Sequence, residues 1–203
     1  GVRLAEVQNR STLLQSQLHH LLRAPTATDG EVSKPIFSDI APQLPVEADR
    51  LKIRPTAQIN HLVLHHTRVD ASVTAEELAA HQSKRWGSIL YHFLIDADGS
   101  IVQTGDLDRT IDLQQTWTGR GINIGLAGDF TTEAPRPRQL DAAARLCAWL
   151  MQEYKIPVEN VKGISEFVKT DSPGRQWAEV KCWKDQLVSA IRSAKNASQS
   201  TEA

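Results

Sequence analysis

Two adjacent histidines at the end of an apolar run are the residues of this sequence best placed to do chemistry. Leu62, Val63 and Leu64 precede His65 and His66, a pattern that predicts a buried strand ending in polar side chains. Neighbouring residues of a strand point to opposite faces, so the two imidazoles cannot both face one site. An isolated histidine at a strand end is more often a hydrogen-bonded polar residue than a metal ligand. Whether His65 is a metal ligand therefore depends on whether other ligands accompany it.

The composition is that of an ordinary globular domain. The chain has 203 residues, enough for one domain with a substantial core plus an appendage. Its formal net charge of -1 gives no basic surplus for nucleic acid. No apolar run could span a bilayer, and no signal peptide is visible; because the chain opens with Gly1, an upstream anchor or export signal stays open. Cys147 and Cys182 are predicted to be small core residues, not a disulfide scaffold.

The first 54 residues predict an appendage and a connecting segment. Residues 2–22 are predicted to form a helix with apolar residues at coiled-coil spacing, namely Leu4, Val7, Leu14, Leu18 and Leu21. This coiled-coil-like helix either docks on its own domain or supports self-association, and both interpretations are open. Residues 23–54 are rich in proline, which favours a linker followed by an extended segment that wraps the domain.

Residues 55–195 alternate between strand and helix patterns. A helix should follow Thr74, which has capping-box spacing to Glu77. The other predicted helices cover residues 135–154 and 175–196, and the predicted strands cover residues 89–96, 100–105, 122–130 and 157–163. This alternation predicts an α/β domain with a central mixed sheet flanked by helices. The polar tail, residues 196–203, is predicted to be disordered.

Three stretches in the right order resemble a known enzyme superfamily. Residues 59–67, 90–100 and 163–174 are similar to the motifs of the zinc amidases of the peptidoglycan recognition protein and type-2 N-acetylmuramoyl-L-alanine amidase superfamily. The resemblance extends over about residues 35–183. It implies the same α/β fold, an extracytoplasmic or cell-envelope location, and a peptidoglycan ligand.

The resemblance also implies a zinc site. In catalytic members two histidines and one cysteine hold zinc, and a water completes the shell and attacks the amide between the lactyl group of N-acetylmuramic acid and L-alanine. The first ligand maps onto His65, which has Thr67 two positions ahead. Tyr91 and Thr170 map onto residues that assist the oxyanion.

The other two ligands of the family are missing in register. Ile164 stands where the second histidine belongs, and Ser172, eight positions later, stands where the cysteine belongs. Ile164 has no lone pair, and a serine hydroxyl is a weak ligand for zinc. We therefore expect no zinc and no other cofactor. Glu166 and Asp171 are the carboxylates that could replace the lost ligands.

The functional hypothesis is a degenerate amidase-like domain, kept to bind a peptidoglycan fragment or a protein partner. Its candidate binding residues are His65, Tyr91, Trp86, Trp117 and Thr170. Two alternatives stay open: an active N-acetylmuramoyl-L-alanine amidase with rearranged zinc ligands, and a purely structural assembly module. Metal content discriminates the first alternative, because an active member should carry about one zinc per chain.

Overall fold

The computed structural model describes residues 31–111, 119–177 and 183–197. The helix predicted for residues 2–22, Trp117 and the tail after Ala197 lie outside these ranges. In chain order the described strands and α-helices are β1 (Ser38–Asp39), β2 (Leu51–Ile53), β3 (His61–His66), α1 (Ala75–Trp86), β4 (Phe93–Ile95), β5 (Ile101–Gln103), β6 (Arg109–Ile111), β7 (Gly121–Leu126), α2 (Pro137–Glu153), β8 (Val161–Gly163) and α3 (Trp183–Ala197).

A six-stranded mixed sheet forms the centre of the domain. Its strand order is β1-β5-β4-β7-β3-β8; β4 and β5 pair antiparallel, and the other neighbours pair in parallel. The carboxyl ends of β3, β7 and β8 therefore share one edge of the sheet. A separate antiparallel pair joins β2 to β6. The predicted central mixed sheet is confirmed.

Apolar side chains alternate between the two faces of the sheet, and each face has its own core. Leu62 of β3 packs in one core with Leu146 of α2 and Leu187 of α3. Leu94 of β4 packs in the other core with Leu78 of α1. Strand side chains point alternately to opposite faces, so helices cover both faces, as an α/β domain requires.

The helix α1 begins and ends at the residues that its sequence predicts. Thr74 Oγ1 accepts from the Glu77 N–H at 3.2 Å, and the Glu77 carboxylate accepts from the Thr74 N–H at 2.9 Å, a complete capping box. Gly87 ends the helix with φ of 85°, where a Cβ would stand 2.8 Å from Cβ of Arg50. A side chain at this position would be strained.

Several predicted elements have different bounds in the structure. The strand predicted for residues 89–96 is confined to Phe93–Ile95, and ahead of it the backbone N–H of Leu90 donates to the Gln82 side chain. The strand predicted for residues 122–130 ends at Leu126, before a turn at Gly128. Residues 175–177 form turns, so the last helix was predicted to begin too early. None of the described helices combines the length and the apolar composition of a membrane-spanning segment.

Candidate functional site

A cleft opens on the α1 side of the sheet, beside the carboxyl end of β3. Its cavity has a volume of about 630 Å³, within the usual range of small-molecule sites. The segment before β2 forms one wall, the residues that follow α1 form another, and the residues that follow β8 form a third. Six residues predicted from the sequence border this one cavity: His65, Trp86, Tyr91, Ile164, Thr170 and Ser172.

The imidazole of His65 is fixed on the floor of the cleft. Its Nε2 lies 2.9 Å from Oδ1 of Asn123, and its ring meets the ring of Tyr91 edge-on at 5.5 Å between centroids. Because a carboxamide oxygen only accepts, Nε2 of His65 carries the proton. Burial lowers the pKa of His65 to about 4, against the opposing effect of the Asn123 hydrogen bond. The ring is therefore neutral at pH 7, with its lone pair on Nδ1.

The hydroxyl of Tyr91 is directed into the protein. Its ring packs against Gly125, where a Cβ would approach the ring to 2.8 Å, and its hydroxyl donates to the backbone carbonyl of His66 at 3.4 Å. Burial raises the pKa of Tyr91 to about 12. Tyr91 borders the cleft, but its hydroxyl already has an acceptor, so it is not poised as a free oxyanion donor.

Behind His65 lies a buried polar network that includes His92, a residue of the motif at 90–100 to which the sequence assigned no role in the site. The backbone N–H of Asn123 donates to Nδ1 of His92 at 2.9 Å, so Nε2 of His92 carries the proton and donates to the Arg109 carbonyl at 3.0 Å. The guanidinium of Arg54 lies 3.4 Å from the same Nε2. Burial, and next the charge of Arg54, lower the pKa of His92 to about 3. His92 is therefore neutral and holds Asn123 against His65.

The side chain of His66 lies on the opposite face of the sheet, as the alternation of strand residues predicts. Its ring lies against that of Phe130, and its Nδ1 accepts from the Phe130 N–H at 2.9 Å. Burial lowers the pKa of His66, although Asp129 opposes the shift. The neutral ring then carries its proton on Nε2, which is sealed from solvent and has no hydrogen-bond partner among the described residues. With Nδ1 occupied and Nε2 protonated, His66 is not arranged as a metal ligand.

The residues at the two altered family positions complete the wall after β8. Ile164 is buried and begins a single 3-10 turn directly after β8. The hydroxyl oxygen of Ser172 accepts from the backbone N–H of His66 at 3.1 Å, which ties the loop to the end of β3. The Ser172 N–H in turn donates to Oγ1 of Thr170 at 3.2 Å. Ser172 and Thr170 therefore have structural partners of their own.

Glu166 is bound to structural donors outside the cavity. Its Oε1 accepts from the Gly163 N–H at 2.9 Å, from Nε1 of Trp177 at 2.9 Å and from Nζ of Lys184 at 2.7 Å, and Lys162 lies 3.3 Å from Oε2. Burial alone would raise the pKa of Glu166, but these hydrogen bonds outweigh it and lower the pKa to about 2. Glu166 does not line the cleft. Its role is to fix the turn that carries Ile164.

Asp171 and Trp86 are placed at the surface of the domain. The carboxylate of Asp171 lies 3.5 Å from the guanidinium of Arg68, and both side chains are exposed. Asp171 does not border the cavity that His65 borders. Trp86 does border it, half-buried, with the Arg85 guanidinium 4.8 Å from its ring centroid. One indole face is thus engaged by a cation.

The described residues of the cleft do not fit the zinc ion that the resemblance implies. Structural and catalytic zinc sites need three or four imidazole, thiolate or carboxylate donors. His65 supplies one imidazole, Ile164 supplies no donor, and Ser172 supplies a neutral hydroxyl. Within residues 31–111, 119–177 and 183–197, no group of three histidine, cysteine, aspartate or glutamate side chains is arranged to hold a metal ion.

The mixed sheet, its flanking helices and the cleft at the end of β3 define an amidase-like α/β domain. The family model for N-acetylmuramoyl-L-alanine amidase (Amidase_2) matches residues 55–176, more than half of the chain. The chain therefore belongs to this family, and the resemblance inferred from its motifs is confirmed.

Individual relatives agree with this assignment. Peptidoglycan-recognition protein 2 of Holotrichia diomphalia is 23% identical over 137 residues, covering 62% of this chain and 73% of that protein. Peptidoglycan-recognition protein LB of Drosophila melanogaster is 34% identical over 107 residues, covering 51% of this chain and 46% of that protein. The solved structure of the N-acetylmuramoyl-L-alanine amidase LysC from Clostridium intestinale URNW superposes with a TM-score of 0.63 at 21% identity, covering 78% of this chain and 99% of that one. That likeness shows the fold.

Proposed function

We propose that this chain is a non-catalytic amidase-like domain that binds a peptidoglycan fragment in the cleft beside β3. One observation carries the proposal: the cleft has kept a cavity of about 630 Å³, while Ile164 and Ser172 line it where zinc ligands would be needed. A cavity of this size is suited to binding. Its donor set is not suited to metal-assisted hydrolysis.

The geometry disfavours an active enzyme with rearranged ligands. Glu166 is committed to Gly163, Trp177 and Lys184, and Asp171 pairs with Arg68 at the surface. Recruiting either carboxylate would break these contacts and move its loop. We therefore propose that the chain binds no stoichiometric zinc. The relatives named for peptidoglycan recognition support a peptidoglycan ligand, and with it an extracytoplasmic location.

Co-sedimentation with insoluble peptidoglycan tests the binding function. Val168 borders the cavity, so Val168→Trp should fill the cleft and leave the protein in the supernatant. The matched control is Val69→Trp, which adds the same side chain at an exposed position outside this cavity and should co-sediment like the wild type. Equal sedimentation of all three proteins, or of none, would contradict binding in this cleft.

Product analysis tests the absence of catalysis. The wild-type protein, incubated with muropeptides and added zinc, should release no peptide with a free L-alanine amino terminus, because the cleft offers only one family ligand. An active amidase of this family run in parallel shows that the assay detects cleavage. Release of such peptides by the wild type, abolished by a chelator, would show that the domain is an enzyme.

A further inference from the structure

The described lining of the cleft has few ionised groups. Of its described lining residues, only Asp106 and Arg109 have side chains that are ordinarily charged at pH 7, and these two pair with each other at 3.4 Å. His65, His66 and His92 also border the cavity, but the ring of His66 lies against Phe130 on the other face of the sheet. The imidazoles of His65 and His92 each donate from Nε2 to an oxygen, Oδ1 of Asn123 and the Arg109 carbonyl respectively. The described walls therefore provide no unpaired cation for a ligand carboxylate and no unpaired anion for a ligand amine.

The remaining walls are largely apolar. Leu44 and Val46 come from the segment that precedes β2, and Leu51 comes from β2 itself. Ile89 and Ile111 stand on other sides of the same cavity. A ligand that covers these side chains gains by burying apolar surface of its own, whereas a charged group placed against them loses hydration without compensation.

Nδ1 of His65 is a hydrogen-bond acceptor of this cavity that a ligand could reach. The bond from Nε2 of His65 to Oδ1 of Asn123 leaves the lone pair of the ring on Nδ1. This Nδ1 has no hydrogen-bond partner among the described residues, and it is not among the polar atoms that are sealed from solvent. The backbone N–H of Asn123 is anchored to His92, which fixes the position in β7 from which the carboxamide reaches His65. Nδ1 is therefore a preorganised acceptor for a ligand N–H or O–H.

We propose that the cleft selects an uncharged ligand and that Nδ1 of His65 accepts a hydrogen bond from an amide N–H of that ligand. The inference rests on the proposed function and narrows it. Of a peptidoglycan fragment, the cleft would hold the neutral muramyl and first-amide portion, and it would leave the carboxylates of the peptide outside. His65 then acts as a hydrogen-bond acceptor, a role that needs no metal.

Titration calorimetry with two probes tests the charge selectivity. The probes are N-acetylmuramyl-L-alanine methylamide, which is neutral, and N-acetylmuramyl-L-alanine, which carries a carboxylate. We expect the neutral probe to bind roughly tenfold tighter or more, because the acid would bury an uncompensated charge. We also expect its Kd to be the same at low and high sodium chloride concentrations, since no ion pair is formed for salt to screen.

Matched variants and a direct spectroscopic readout test the role of His65. His65→Leu removes the acceptor and should weaken the binding of the neutral probe about 3- to 10-fold, which is the range expected for one neutral hydrogen bond. His81→Leu makes the same change at an exposed position of α1 outside the cavity and should bind like the wild type. Nitrogen-15 NMR of the wild-type imidazoles should show His65 protonated on Nε2, whether or not the variant folds.

The outcomes separate the inference from the function on which it rests. Tighter binding of the acid, with an affinity that falls as salt rises, would overturn the inference and leave peptidoglycan binding intact. The same holds if neither probe binds while insoluble peptidoglycan still co-sediments, or if NMR finds His65 protonated on Nδ1. Failure of both the probes and the sedimentation assay would overturn the proposed function as well.

Discussion

The buried imidazole of His92 should make the stability of the domain depend on pH. In the folded chain its pKa lies at about 3, because of burial and the nearby charge of Arg54, whereas an unfolded chain has the ordinary value of about 6.5. As pH falls, the unfolded chain therefore takes up the proton first. The contribution of His92 to stability is fully present above pH 6.5 and is lost progressively as pH falls towards 3.

The size of the effect follows from the difference between the two pKa values. From pH 7 to pH 5 the linkage removes about 2 kcal/mol of unfolding free energy for His92, and a similar amount for His65, whose folded pKa is about 4. His92→Asn removes the titration and keeps an oxygen that can accept the Asn123 N–H. When urea denaturation is measured at pH 7 and at pH 5, the unfolding free energy of the variant should fall by about 2 kcal/mol less than that of the wild type.

A control separates this effect from a general loss of histidine. His81→Asn makes the same change at an exposed residue of α1, so its unfolding free energy should fall with pH as in the wild type. If His92→Asn and the wild type lose the same free energy between pH 7 and pH 5, His92 is not held neutral by burial. The network that orders Asn123 and His65 would then have to be described differently.

Three further predictions concern the family's zinc-ligand positions, the packing of the cleft and the N-terminal segment. The double change Ile164→His and Ser172→Cys restores the family ligand set in register, and metal analysis should find about one zinc per chain; none in a folded variant would show that the pocket has changed shape. Gly125→Val drives a side chain into the ring of Tyr91, 2.8 Å from the new Cβ, and should lower the unfolding free energy by about 1–3 kcal/mol in urea denaturation. Deleting residues 1–22 should change the mass in solution by light scattering or the melting temperature, and no change in either would refute a packed apolar stripe.

The fold could be predicted because its signals are local or lie in long periodic segments. Thr74 and Glu77 form the capping box that their spacing indicates, and the stripe of Leu140, Cys147 and Met151 is buried along α2. The pairing of β2 with β6 was missed for the opposite reason. Each strand has three residues, too few for a periodic pattern, and tertiary contacts decide their conformation.

The candidate site could be predicted only at the positions that motifs mark. His65, Ile164 and Ser172 border one cavity, although more than a hundred residues separate the first from the last. The contact between His65 and Asn123 depends on the parallel register of β3 and β7, which a single sequence does not reveal. The same is true of His92, whose tautomer depends on a backbone N–H from another strand.

Native mass spectrometry of the wild-type protein tests the central claim most directly, because one spectrum reports both metal and ligand. The protein is incubated with equimolar zinc and N-acetylmuramyl-L-alanine methylamide, and the complex is then weighed. The account predicts the mass of the chain plus one intact probe and no zinc, since His65 is the one family ligand that remains. A chain carrying one zinc, together with free N-acetylmuramic acid and L-alanine methylamide in the solution, would contradict it.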